Sequence, residues 1–148
     1  MQFSTVVLSA LAAVGSMAAP AVEPRAEAVS MMAQATTWTI TNFKRAVNAD
    51  NTQTTWTFGI NNGATTIPCT EVVKGAKSST LNGGPATCGP YTVTSGWSDQ
   101  FGPGNEFTTF SVVDYAAKLI VFPAYTDKEV ASGNVVTPDK SYTPSKLN

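Results

Sequence analysis

The chain has 148 residues, 43% hydrophobic and 13% charged, with nine Lys plus Arg against ten Asp plus Glu and no histidine. That is one domain's worth of residues with room for a core. A net charge of -1 and a pI near 5.2 leave no basic field to neutralise phosphates, so no nucleic-acid partner is expected. Without histidine, Ser-His-Asp and Cys-His activation of a nucleophile, imidazole acid-base chemistry and most zinc sites fall away. Twenty-one threonines set among Val, Gly and Pro form a β-sheet composition.

Residues 1–18 have the short apolar core and small-residue exit of a signal peptide, with cleavage expected after Ala18, where Ser16 and Ala18 occupy the two positions that need small side chains. An apolar run of about ten residues is too short to span a bilayer. Residues 19–35 read as a flexible leader, with Pro24-Arg25 as a trimming site, and residues 36–148 as a secreted β domain. In an exported chain the two cysteines, Cys69 and Cys88, are expected to be bridged. Closing the loop between them implies roughly 3 kcal/mol of stabilisation.

Along the domain, Trp38 and Ile40 alternate with threonines and the pattern slips by one at Phe43, marking a half-buried strand. Trp56, Phe58 and Ile60 share one face of the next, which ends in the hairpin turn Asn61-Asn62-Gly63. The return strand, 65–74, contains Pro68, which argues for a sheet edge. The stretch 70–87 reads as a polar, Gly-rich loop. Tyr91, Val93 and Trp97 mark a further strand, closed by Gly102-Pro103-Gly104-Asn105, and 107–114 pairs with 118–122. Leu119-Ile-Val-Phe122, apolar on both faces, is expected to be the central, doubly covered strand. Residues 128–131, a turn at 132–134 and Val135-Val136 complete the pattern. Six to eight short strands without a ten-residue helical period predict a single all-β domain, an antiparallel β-sandwich or small β-barrel with one disulfide.

Carboxylates that could serve a hydrolase are sparse. Asp99 and Glu106 flank one turn and could face each other across a cleft, yet acids in a polar turn are usually solvated. No catalytic residue, metal ligand or cofactor is assigned, and the chain is read as non-enzymatic. The segment Ser95 to Asn105 carries the most local information. Trp97 and Phe101 sit beside a rigid turn, where they either plug the end of the barrel, the reading core volume favours, or meet a sugar or a protein. If the segment is a contact surface, Trp97, Ser98, Asp99, Gln100 and Phe101 form it. Lys44-Arg45 reads as a solvated strand end.

The segments Trp38-Thr-Ile-Thr-Asn-Phe-Lys-Arg45, Trp56-Thr-Phe-Gly-Ile60, Thr94-Ser-Gly-Trp-Ser-Asp-Gln-Phe-Gly102, Phe107-Thr-Thr-Phe-Ser-Val-Val-Asp114, Leu119-Ile-Val-Phe-Pro-Ala-Tyr-Thr-Asp127 and Val135-Val-Thr-Pro-Asp139 resemble small secreted proteins of filamentous ascomycetes, among them hypersensitive-response-inducing elicitors. A looser similarity, to allergen and elicitor β-barrels of the Alt a type, is one of architecture. The resemblance implies a secreted, apoplastic effector or elicitor whose partner is a host plant surface protein, with a cell-wall glycan as the alternative, and the chain is expected to be a monomer. It also implies a further cysteine pair near Val47 and Thr54, absent here. A lectin-like or small-ligand-binding barrel and a carboxylate-dependent hydrolase remain the competing classes.

Overall fold

A computed structural model describes residues 36–148. The expectations for the signal peptide and leader lie outside the described residues. Two antiparallel sheets face each other around an aromatic core. The first contains β1 (Trp38–Val47), β2 (Gln53–Asn61), β3 (Thr66–Lys74) and β9 (Lys140–Tyr142), in the order β3-β2-β1-β9. The second contains β4 (Gly83–Cys88), β5 (Tyr91–Ser98), β6 (Phe107–Asp114), β7 (Leu119–Val121) and β10 (Ser145–Lys146), in the order β10-β7-β6-β5-β4, with β8 (Ala124–Thr126) also paired to β6. The all-β class and the Cys69–Cys88 disulfide agree with the sequence reading.

Side-chain alternation builds the core. Trp38, Ile40 and Phe43 on β1 and Trp56, Phe58 and Ile60 on β2 all point inward and are buried. The slip before Phe43 is a bulge: Asn42 adopts a φ of 51°, and the β1–β2 register shifts between Thr41 and Lys44. The extra residue returns Phe43 to the inner face. There its ring stacks on Tyr125 at 3.6 Å and lies within 5.6 Å of the rings of Trp56, Phe58 and Phe110. At the end of β2, Asn62 Oδ1 accepts the amides of Ala64 and Thr65, and Gly63 takes a φ of 92°. Pro68 lies on β3, an edge of the first sheet, opposite Gly59.

Three local expectations are corrected. Leu119 to Phe122 is not a central strand. β7 has three residues and lies one strand from the sheet edge, because Pro123 interrupts it; the Pro123 carbonyl accepts the Phe110 amide at 2.7 Å, and Phe122 turns outward, 58% exposed. Residues Asp127–Val130 form a one-turn helix, α1, instead of a strand. Thr126 and Glu129 make a reciprocal capping box at its start. The supposed loop 70–87 contains a sixth long segment of sheet, β4, which pairs with β5 through Cys88, Thr87 and Ala86. Val47 and Thr54, where the resemblance implied a second bridge, are opposite each other in register.

Candidate functional site

The hairpin of β5 and β6 carries the segment singled out in the sequence. Its last ladder pair is Ser98 with Phe107, and residues 99–106 form the loop beyond it. Two successive turns shape the loop, with the Gly102 amide bonded to the Asp99 carbonyl at 2.9 Å and the Asn105 amide to the Gly102 carbonyl at 3.1 Å. Gly102 and Gly104 supply φ values of 87° and 83°, a region costly for residues with a Cβ. The Asn105 Nδ2 donates to the Phe101 carbonyl at 3.3 Å, and the Gln100 amide to Ser98 Oγ at 3.3 Å. These bonds order a segment that has no apolar interior of its own.

Trp97 and Phe101, expected together as a plug, have different fates. Trp97 is half-buried at the end of β5 and is tied at both ends of its residue. Its amide donates to Asn82 Oδ1 at 3.0 Å and its indole Nε1 to Asp127 Oδ2 at 3.1 Å. Asp127 Oδ1 in turn accepts from Arg45 at 3.0 Å, and the Arg45 guanidinium lies over the Trp56 ring at 5.6 Å. Arg45 is therefore a structural cation with a mostly buried side chain, not a solvated strand end. Phe101 plugs nothing. Its ring is 66% exposed and rests on Phe107 at 5.6 Å with planes 25° apart. Asp99 and Gln100 are exposed beside it, and Ser98 is half-buried. The loop thus presents one supported aromatic ring among uncharged and acidic polar groups.

One of the two acids at this turn does not carry the shift of a glycosidase's general acid. Glu106 accepts its own backbone amide and that of Gly104, which hold its carboxyl below the usual carboxylate range. A general acid needs the opposite shift. Among the described residues no group of three or more His, Cys, Asp or Glu side chains is placed to hold a metal ion, and no helix is long and apolar enough to cross a membrane.

A second feature lies on the outer face of the first sheet, where a groove of about 560 Å³ is lined by Thr41, Lys44, Thr57, Gly59, Thr66 and Pro68 among others. Gly59 forms its floor because a Cβ there would sit 2.5 Å from Thr41 Oγ1 and 2.8 Å from the Thr66 methyl. Composition alone gave no sign of this groove. It depends on two threonines from different strands, Thr41 and Thr66, meeting over one glycine.

Comparison with known proteins bears on what these surfaces serve. A family model described as Effector TSP1 matches residues 39–147, which covers the sheet framework except the first residue of β1, and the loop. A curated protein named Effector TSP1 from Hypocrea virens (strain Gv29-8 / FGSC 10586) is 54% identical over 145 residues, spanning 97% of this chain and 96% of the relative. With the match running through both sheets, the disulfide seam and the 99–106 loop, the chain belongs to the Effector TSP1 family.

Proposed function

We propose that this protein is a secreted fungal effector that induces plant cell death and defence through a non-catalytic contact made by its 99–106 loop with a host surface protein. Membership of an effector family supports the general role. The loop is favoured by one observation: the exposed Phe101 ring, held on Phe107 and flanked by Asp99 and Gln100. An aromatic anchor that needs little further ordering, ringed by polar groups, matches the composition of energetically dominant contact sites. The signal peptide read in residues 1–18 supports export to the apoplast.

The test is infiltration of purified secreted protein into leaf tissue, comparing the parent with Asp99→Ala, Gln100→Ala and Phe101→Ala. Exposed substitutions usually move stability by less than about 0.5 kcal/mol, so the variants should melt like the parent while eliciting a weaker response. Variants that fold and elicit at full strength would place recognition on another surface. Elicitation lost by every variant and by the parent alike would remove the elicitor role itself.

A further inference from the structure

We propose that Glu71 is an acid latch on the seam between the two sheets: its neutral carboxyl holds β3 against β4 and β5, and its ionisation loosens β4. Glu71 lies on β3, an edge strand, with its side chain facing inward and 1% exposed. It shares that face with Cys69, which carries the bridge to Cys88 on β4. Its Oε2 accepts the hydroxyl of Ser95 on β5, while Oε1 has no hydrogen-bond partner among the described residues. The backbone of β4 covers the carboxyl. A Cβ on Gly83 would sit 3.0 Å from Oε2, and one on Gly84 would sit 2.9 Å from Oε1, so both glycines are needed for the strand to close over the group.

Among the described residues no counter-charge accompanies this carboxyl. The ion pairs among the described residues, Arg45–Asp127 and Lys140–Glu129, involve other groups. Trp56 is opposite it on β2, with Thr54 and Phe58 to either side on the same face; β4 contributes Gly83 and Gly84, β5 contributes Val93 and Ser95, and Ser78 of the 3-10 turn at Ser78–Thr80 is buried and bonded to Thr54. None of these ionises. Tyr91, further along the inner face of β5, has its hydroxyl pushed up by burial and stays neutral through the same range; its own electrostatic partners are Asn62 and Asp114. A lone buried carboxylate is costly, and burial accordingly pushes the Glu71 carboxyl above its ordinary value, against the smaller opposing effect of the Ser95 hydrogen bond.

The direction of the pH effect follows. The folded state holds the Glu71 proton more tightly than the unfolded chain does. Its contribution to stability is complete below the unfolded value, near 4.5, and is lost as pH rises through the folded value. Each unit separating the two values is a tenfold change in the folding equilibrium. Glu106 and Glu129 are shifted down and act oppositely, their contribution disappearing as pH falls below the unfolded value. The parent should therefore be most stable in mildly acidic medium and less so at neutral pH. β4 is the element that yields, because Gly84 and Pro85 are exposed and the β4–β5 ladder is irregular between Gly83 and Ala86.

The experiment follows thermal unfolding from pH 3.5 to 8 for the parent and Glu71→Gln, with a carbon-13 titration of the Glu71 carboxyl. The expected result is a melting temperature that falls above pH 4.5 in the parent and stays level in Glu71→Gln, with a carboxyl midpoint above the ordinary glutamate value. If Glu71→Gln does not fold, Ser95→Ala serves instead, because losing the bond that favours the ionised form raises the folded value and extends the parent's decline to higher pH, with its onset near 4.5 unchanged. Amide exchange at Ala86 and Thr87 should quicken at neutral pH before that of β6. A flat parent profile, a midpoint at or below the ordinary value, an equal decline in Glu71→Gln, or an unmoved decline in Ser95→Ala overturns the latch.

Discussion

Phe43 is the residue on which both sheets converge, and it reaches that position only because Asn42 absorbs an extra residue in the left-handed region. The Asn42 amide, released from the β1–β2 ladder by the bulge, is taken up by Asp139 Oδ1 at 3.1 Å. Truncating Phe43 removes the ring that stacks on Tyr125 and abuts Trp56, Phe58 and Phe110, so Phe43→Ala is expected to cost about 3–5 kcal/mol. Denaturant unfolding measures it, and a loss below about 1 kcal/mol would mean the core collapses around the gap. This part of the fold was legible in the sequence, since the slip from Ile40 to Phe43 marked the bulge and the Trp/Phe/Ile alternation marked the inner face. Glu71 was not legible. A lone acid between Thr70 and Val72 looks like any strand residue, and only the glycines of a strand distant in sequence enclose it. Phe101 was half legible: its turn could be read from Gly-Pro-Gly, while the outward direction of its ring depends on Phe107 across the hairpin.

At the scale of elements, α1 shows how short-range chemistry overrides alternation. Val130 is buried like a strand residue, but Thr126 Oγ1 accepts the Glu129 amide and Glu129 Oε2 accepts the Thr126 amide at 2.7 Å, so one helical turn forms. The Thr-x-x-Glu spacing was present in the sequence as the signal for this turn. Lys140 reinforces it, reaching Glu129 at 2.8 Å, the Ala124 carbonyl at 3.0 Å and the Tyr125 ring at 4.2 Å. Thr126→Ala should cost about 1 kcal/mol, read from chemical denaturation, and should weaken the Trp97–Asp127 bond beside it. An unchanged midpoint would make the cap dispensable next to the Lys140 contacts. β7 was read as the partner of β6 but misplaced as central, and β4 went unread, each for a different reason. Proline ends the first at a point set by its partner β6, and the second is a Gly-rich strand whose pairing comes from β5 rather than from its own propensity.

In the whole molecule, each sheet leaves edges that must be closed, and the two seams use different means. On one side the C-terminal tail passes from β9, paired with β1, to β10, paired with β7, and the Leu147 amide bonds the Lys118 carbonyl at 2.9 Å. On the other side the Cys69–Cys88 bridge joins β3 to β4, with Glu71 on the same inner face. The bridge closes a loop with a sequence separation of 19, which in the chain-entropy picture limits the unfolded state by roughly 3 kcal/mol. For a domain of this size that corresponds to a melting temperature lower by roughly 10 °C in the Cys69→Ala, Cys88→Ala double variant. The aromatic core and the β1–β2 and β5–β6 ladders do not depend on the bridge, so far-ultraviolet circular dichroism should be unchanged. Under the proposed contact through residues 99–106, which lie at the end of the β5–β6 hairpin, any elicitation should survive in the double variant below its melting temperature. A melting temperature equal to the parent's would mean that β3 and β4 are held by packing alone, and loss of the β-sheet spectrum would mean that the seam is needed for the fold itself.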